Sequence, residues 1–134
     1  MENKFKTFGL LSIFGAMLLQ VQPPLSLAAN SNIAVAAAGA NENSEISEVA
    51  GRAPYYLIFD QNGVFLKSIE NSGQRSMRGS SSAVVDLLLK ESCNAVIAGQ
   101  FGEKMQSRLK ANRIESYQRT GIVKDVLKTF GSGK

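Results

Sequence analysis

One group of side chains suited to binding an anion stands directly before a predicted helix. Arg75 and Arg78 lie in a polar loop, residues 71–82, that ends in the three serines Ser80, Ser81 and Ser82. The first N–H groups of a helix lack intrahelical acceptors, and together with the helix dipole they favour a negative charge. Guanidinium and hydroxyl groups would add donors to the same anion. The alternative is a solvated loop in which a serine only caps the helix, and the sequence leaves both interpretations open.

A second group follows a predicted buried strand, at the position where open α/β sheets bind ligands. It consists of Gly99, Gln100 and Gly102. Glycine would let the backbone approach a ligand closely, because no Cβ is in the way. The alternative is a tight strand-to-helix turn with Phe101 in the core.

Arg52 is the third candidate, at the end of a loop rich in Asn, Ser and Glu. It could face the same crevice as residues 99–102, or it could pair with Glu48 or another acidic residue at the surface, where an ion pair contributes little. The spacing of Glu42, Glu45 and Glu48 would also suit a hard cation. A solvated acidic loop is the simpler interpretation of these glutamates.

The absence of histidine is the strongest chemical constraint. It excludes Ser–His–Asp triads and nearly all ordinary zinc sites. The single cysteine, Cys93, could bind a soft metal, but an isolated cysteine between a helix and a strand is usually a small core side chain. We therefore predict no catalytic residue, no metal ligand and no enzymatic activity. A net charge of +4 favours small anions weakly and gives no reason to expect nucleic acid.

The elements that must position these residues follow from hydrophobic patterning. Apolar or alternating runs predict strands over residues 32–38, 55–60, 64–70, 95–98 and 114–118. Apolar residues at helical spacing predict helices over residues 83–92, over a segment in which Phe101, Met105 and Leu109 share a face, and over a final segment capped by Thr120. This order predicts one α/β domain with a mixed five-stranded sheet and flanking helices.

Two turns have specific signatures. Asn62 and Gly63 separate two strand-like runs, which predicts a two-residue type I′ hairpin turn with positive φ at both residues. Asn112 follows the second helix, where a left-handed C-cap is expected.

The first 28 residues have the composition of a secretory signal peptide. Lys4 and Lys6 precede an apolar run over residues 8–21, and Pro23 and Pro24 then end any helix. Small residues before position 29 suit signal peptidase, so we place cleavage after Ala28. The run is shorter than the roughly 20 residues of a membrane span. We expect an exported protein, periplasmic or secreted, whose mature domain covers residues 29–134 with its core at about 32–130, and which meets the membrane only during export. A retained N-terminal anchor is the alternative.

Three segments together resemble the dinitrogenase iron–molybdenum cofactor biosynthesis family. They are residues 32–36 (NIAVA), residues 46–58 with the run GRAPYYLI, and residues 95–102 (AVIAGQFG). The likeness extends from about residue 32 to residue 128. It implies a ribonuclease H-like fold and a protein that binds or carries an anionic metal–sulfur cluster of the iron–molybdenum type, without catalysis of its own. It also associates the family with nitrogen fixation.

The family usually carries the stretch Ser-Pro-His-Phe-Gly-Arg-Ala, which here reads SEVAGRA over residues 47–53. Val49 therefore stands at the histidine position, and an alkyl group cannot ligate a metal. Three functions are to be weighed: a carrier of a small anionic cofactor, a protein–protein interaction module whose cofactor site has degenerated, and a hydrolase. The sequence offers no nucleophile–base pair for the hydrolase. A ribonuclease H-like nuclease is disfavoured, because residues 33–38 of the first strand hold no carboxylate for its metals.

Overall fold

The computed structural model describes residues 31–72 and 80–132. These residues form one α/β domain of five strands, three helices and one turn of 3-10 helix. In chain order they are β1 (Asn32–Ala37), a 3-10 turn (Ala50–Arg52), β2 (Tyr55–Phe59), β3 (Phe65–Glu70), α1 (Ser80–Lys90), β4 (Cys93–Ala98), α2 (Glu103–Ala111), β5 (Glu115–Gln118) and α3 (Val123–Ser132). The predicted signal peptide (residues 1–28), Arg75 and Arg78 lie outside the described residues.

The strands form a single mixed sheet in the order β3-β2-β1-β4-β5. β1 and β2 are antiparallel, as are β2 and β3, whereas β1, β4 and β5 run parallel. The parallel strands therefore end at one edge, which we name the carboxyl edge. β2 starts there and β3 ends there, because Tyr55 pairs with both Ala37 and Glu70. The predicted fold class is confirmed.

Successive residues of the central strands face two separate cores. Ile58 and Val96 point to one face, which α1 and α2 cover through residues such as Val84, Leu88 and Leu109. Leu57 and Ile97 point to the other face, which α3 covers with Val123 and Leu127. Strands buried on both faces read as continuous apolar runs, as in residues 33–38 and 95–98.

The hairpin between β2 and β3 forms as predicted, but its turn is of another kind. The Asp60 N–H donates to Val64 O (2.9 Å) and the Gly63 N–H donates to Asp60 O (2.9 Å). Gly63 has φ of 85°, whereas Asn62 has no positive φ. The connection is thus a three-residue loop with a left-handed glycine. The Asp60 carboxylate selects it by accepting from the N–H groups of Asn62 (2.8 Å) and Val64 (3.0 Å).

The predicted cap at the end of α2 is displaced by one residue. Asn112 has φ of −106°, so it is not left-handed. Arg113 takes that conformation instead, with φ of 60°. The Asn112 amide remains at the helix end and donates to Arg108 O (2.8 Å). The left-handed residue sits one position later because the Asn112 N–H still binds carbonyls of the last helical turn.

The predicted Thr120 cap on the last helix is also wrong, because α3 begins at Val123. The N–H of Val123 donates to Ser44 O (2.9 Å) and the N–H of Lys124 donates to Glu42 O (3.0 Å). Main-chain carbonyls of the loop after β1 therefore satisfy the helix N-terminus. α1, by contrast, begins at Ser80, three residues earlier than the hydrophobic pattern predicted.

Candidate functional site at the carboxyl edge

The loop after β1 returns across the carboxyl edge and extends the sheet beyond two of its strands. Residues 46–50 form this crossing segment. The Ser47 N–H donates to Ala36 O (2.8 Å), and Ser47 O accepts from the Gly99 N–H (2.9 Å). The Ala50 N–H then donates to Gln100 O (3.1 Å). The segment thus lies over the ends of β1 and β4, where the chain leaves neighbouring strands in opposite directions and ligands commonly bind.

Gly99 makes this crossing possible. A Cβ built on Gly99 would lie 2.7 Å from the Glu48 carbonyl oxygen and 2.8 Å from the Glu48 Cα. Both distances are far below normal van der Waals contact, and both atoms belong to the backbone. The space beside Gly99 is therefore filled by the crossing segment. In this position the glycine serves close packing of the chain against itself.

Two buried side chains hold the 3-10 turn in place beside the crossing segment. The Tyr56 hydroxyl donates to Ala50 O from inside the core. The Asn71 amide donates to Ala53 O (2.8 Å) and to Gly51 O (3.3 Å). Asn71 is only 3% exposed, so its amide needs these partners. Tyr56 and Asn71 are missing from the sequence-based predictions, although a tyrosine in a buried strand signals a hydroxyl that needs an acceptor.

Arg52 occupies the last position of the 3-10 turn, with its side chain exposed. Within the described residues it forms no ion pair, and the proposed partner Glu48 does not reach it. α1 packs against the same 3-10 turn. The segment after α1 lies at the opposite edge, since Ser92 O accepts from the Asn32 N–H at the start of β1. The start of α1, with Ser80 and the buried Ser81, therefore lies toward the carboxyl edge, on the side of the Arg52 turn.

Gln100 and Gly102 lie on the other side of the crossing segment. Gln100 is exposed and forms a parallel bridge with Val49. Gly102 is the N-cap of α2, without a side-chain cap, and a Cβ added there would meet nothing within 4 Å. The first N–H groups of α2 are thus accessible from the carboxyl edge. Glu103 in the first turn counters part of their positive potential.

The donors at this edge suit an anion held by hydrogen bonds and charge. No group of three His, Cys, Asp or Glu side chains among residues 31–72 and 80–132 could hold a metal ion. Cys93 begins β4 and so lies at the opposite edge, 1% exposed. Burial, with a smaller effect of the nearby Glu91 charge, raises the pKa of its thiol from 9.0 to about 12. Val49, at the position of the family histidine, offers no ligand.

A wide cleft in the described structure lies elsewhere. It has a volume of about 600 Å³ and separates α3 from the hairpin loop, with Ile33, Asn62, Lys124 and Leu127 among its lining residues. This cleft runs along one helix and is open to solvent. Chemical groups converge at the carboxyl edge, and we take that edge as the candidate site.

The sequence profile of one family, described as "Dinitrogenase iron-molybdenum cofactor", matches residues 31–133. The chain belongs to the dinitrogenase iron-molybdenum cofactor family. The crossing segment, the 3-10 turn and the residues 99–102 turn all lie within the matched range. No curated protein shows significant sequence similarity to this family member.

Solved structures share the fold of this family member. The apo form of the orange protein from Desulfovibrio gigas is 23% identical, with a TM-score of 0.71 over 77% of this chain and 88% of that chain. A proposed NifB protein from Thermotoga, assigned to the DUF35 family, is 25% identical, with a TM-score of 0.66 over 77% and 89%. A proposed dinitrogenase from Methanocaldococcus jannaschii is 19% identical, with a TM-score of 0.53 over 78% and 90%.

Proposed function

We propose that this protein is a non-enzymatic carrier whose cargo is a small anionic metal–sulfur cofactor, bound at the carboxyl edge. The family assignment supports a role connected with such a cofactor. The observation that carries the proposal is Arg52. It is an exposed guanidinium without an ion pair in the described structure, on a turn fixed by two buried side chains. A turn held in this way presents its charge at little conformational cost.

The chemistry of the edge restricts the form of the cargo. Histidine is absent from the sequence, and the single cysteine is buried at the opposite edge. The cargo would therefore keep its metals coordinated by its own sulfides. Arg52, the start of α1 and the N-terminus of α2 would hold it through charge and hydrogen bonds. Arg75 and Arg78, which precede α1 in the sequence, would add positive charge.

A titration with tetrathiomolybdate, followed by the visible absorbance of the anion, tests the proposal. We expect Arg52→Ala to weaken binding by about tenfold, since a hydrogen bond to a charged group is worth about 1.5–3 kcal/mol. The double change Arg75→Ala and Arg78→Ala should also weaken binding. Arg108→Ala is the matched control, because Arg108 is an exposed arginine on α2 outside the edge. Equal affinity in all four proteins, or no binding to any, would refute the carrier function.

Val49 favours a second function, a protein–protein interaction module that keeps the fold without the cofactor. An alkyl group at the family's histidine position removes a ligand without disturbing the bridge to Gln100. The metal content and visible absorbance of protein purified from its native source separate the two functions. Molybdenum or iron near one cluster per chain supports the carrier, whereas a colourless, metal-free protein supports the module.

We also propose that the protein is exported, on the composition of residues 1–28. Within the described residues, no helix combines the length and hydropathy needed to cross a membrane. Mass spectrometry of the protein released by the native organism should find Ala29 at its N-terminus. A mature chain that retains residues 1–28 would refute the export proposal and leave the carrier proposal untouched.

A further inference from the structure

β5 has no neighbouring strand on its outer side among the described residues, because it is the last strand of the sheet and pairs only with β4. The Arg119 N–H points inward and donates to Ala98 O (3.0 Å). Backbone groups alternate in direction along a strand, so the N–H and C=O of Ser116 and Gln118 point outward. Consistently, the outward Gln118 O accepts from the Arg119 side chain (2.9 Å).

The sequence of this edge is complementary to itself when read in the reverse direction. Glu115, Tyr117 and Arg119 alternate with Ser116 and Gln118, so they share one face of the strand. The Arg119 guanidinium lies on that face, 5.8 Å from the centre of the Tyr117 ring. An antiparallel copy centred on Tyr117 would therefore place each glutamate opposite an arginine.

We propose that two copies of this chain pair through β5, antiparallel and two-fold symmetric about Tyr117, to give a continuous ten-stranded sheet. Ser116 would face the partner's Gln118, with their outward N–H and C=O groups exchanging hydrogen bonds. Tyr117 would face the partner's Tyr117, and Glu115 would face the partner's Arg119. The dimer is independent of the proposed cofactor binding, because it forms along β5, the last strand of the sheet, and the cofactor site lies at the carboxyl edge.

The charges select this register over its neighbours. Only a register that places outward-pointing groups opposite each other is compatible with a two-fold pair, so alternatives are shifted by two residues. One shift places Arg119 opposite the partner's Arg113, and the other places it opposite the partner's Tyr117. Both lose the two Glu–Arg pairs.

The helix beside β5 has a matching charge pattern. A cleft of about 420 Å³ separates α2 from β5, and Glu103 and Lys110 line it at opposite ends of the helix. Two-fold pairing brings the partner's α2 alongside in the opposite direction. Because the two helices run in opposite directions, Glu103 of one copy lies at the same end of the helix pair as the partner's Lys110. The strand and the helix thus favour the same partner, a second copy of this chain.

Charge reversal with rescue tests the pairing, on protein recovered from cells that express the full chain. We expect sedimentation velocity to show a dimer at micromolar concentrations. Because each pair occurs twice in the dimer, Arg119→Glu and Glu115→Arg should each raise the dissociation constant on the order of tenfold. The combined charge swap should restore the dissociation constant of the parent. Arg108→Glu reverses a charge away from the β5 surface and should leave the dissociation constant unchanged. A monomer at all concentrations, or singles that the swap fails to rescue, would overturn the proposal.

Disulfide trapping tests the register itself. Directly opposed residues of a non-hydrogen-bonded antiparallel pair have Cα atoms about 4.5 Å apart, within disulfide reach. Tyr117→Cys should therefore cross-link two chains on mild oxidation. Ser116→Cys should fail to do so, because each copy of Ser116 faces the partner's Gln118. The parent chain, whose Cys93 is buried, should remain uncrosslinked. Cross-linking at residue 116 and not at residue 117 would refute this register.

Discussion

Gly99 and Gly102 stand three residues apart in one turn, but their surroundings differ. The backbone of Glu48 fills the space beside Gly99, whereas nothing lies within 4 Å of a Cβ at Gly102. We expect Gly99→Ala to destabilise the protein by about 2 kcal/mol, because forcing extra atoms into a packed site costs about 1–3 kcal/mol. Gly102→Ala, the matched control, should cost less than about 1 kcal/mol, the usual effect of changing an N-cap.

Urea unfolding of both glycine variants and the parent measures these losses. Amide shifts of residues 46–50 should move in Gly99→Ala alone, since the crossing segment must give way. Similar losses in the two variants would contradict the close approach between Gly99 and Glu48. A ligand role for Gly99 stays a prediction. The approach of Glu48 depends on a contact between residues 51 positions apart, and no local pattern in the sequence signals it.

Cys93 should make stability depend on pH in the alkaline range. Burial raises the pKa of its thiol from 9.0 to about 12, so the native state keeps the thiol neutral while the unfolded chain ionises from about pH 9. The contribution of the neutral Cys93 thiol to the free energy of unfolding is therefore fully present below pH 9, and it falls as the pH rises toward 12. Linkage gives a loss of about 1 kcal/mol between pH 9 and pH 10.

Cys93→Ala removes the thiol. Its loss of stability between pH 9 and pH 10 can therefore be compared with the loss of the parent over the same interval. The substitution should lower stability at every pH through lost packing, but its further loss between pH 9 and pH 10 should be smaller than the parent's by about 1 kcal/mol. Urea unfolding at both pH values measures the difference. Burial also raises the pKa of Tyr56 above its ordinary value of 10. Above pH 10, the loss of stability would therefore include contributions from both Cys93 and Tyr56. If the parent and Cys93→Ala lost the same stability between pH 9 and pH 10, the thiol of Cys93 would not be kept neutral in the native state.

Among the elements, the strands were the most predictable. Each of the five, whether an apolar run or an alternating one, lies within two residues of its predicted bounds. The turns were less predictable, because their geometry depends on single side chains. Asn62-Gly63 suggested a two-residue turn, but the Asp60 carboxylate binds two N–H groups and stabilises a longer loop.

The position of one part of the candidate site, residues 99–102, could be predicted from the sequence on physical grounds. Carboxyl ends of parallel strands meet at one edge, which places residues 99–102 near the loop that precedes β2. The crossing segment could not be foreseen, because its hydrogen bonds join it to strands from two distant parts of the chain. Its sequence, ISEVA over residues 46–50, has no strong pattern of its own.

At the element scale, Asn71 should determine how firmly the 3-10 turn is held. Its buried amide donates to Ala53 O and Gly51 O, so Asn71→Ala removes this donor from a buried carbonyl and from a partly buried one. Such a loss costs about 1–3 kcal/mol, and we expect about 2 kcal/mol. Asn112→Ala is the control, since the Asn112 amide donates to Arg108 O at an exposed helix end and should cost under about 0.5 kcal/mol.

Hydrogen exchange locates the effect of Asn71→Ala. Amides of the 3-10 turn that donate to Val49 O and Ala50 O should exchange faster in this variant and not in Asn112→Ala. If the carrier proposal holds, a loosened turn should also weaken tetrathiomolybdate binding, because Arg52 loses its fixed position. Unchanged protection of the turn would show that Asn71 does not hold it.

For the whole molecule, one sheet separates two cores, which bears on how the domain unfolds. Leu57 belongs to the core under α3 and Leu88 to the core under α1 and α2, and both are fully buried. Leu57 and Ile58 are neighbours in β2, so the two cores share the same strands. A strand cannot leave one core and keep its place in the other, and we therefore expect the sheet to unfold as one cooperative unit.

Leucine truncation on each face tests this cooperativity. Leu57→Ala and Leu88→Ala should each cost about 3 kcal/mol, within the usual 2–5 kcal/mol for a buried leucine. Both should lower the protection of β1 amides by that full amount in hydrogen exchange, because β1 lies at the centre of the sheet and contributes to both cores. Leu89→Ala, at a leucine that is 41% exposed, should have little effect. If Leu88→Ala left the protection of β1 unchanged, the two faces would be opening separately, and the helices over them would be independent units.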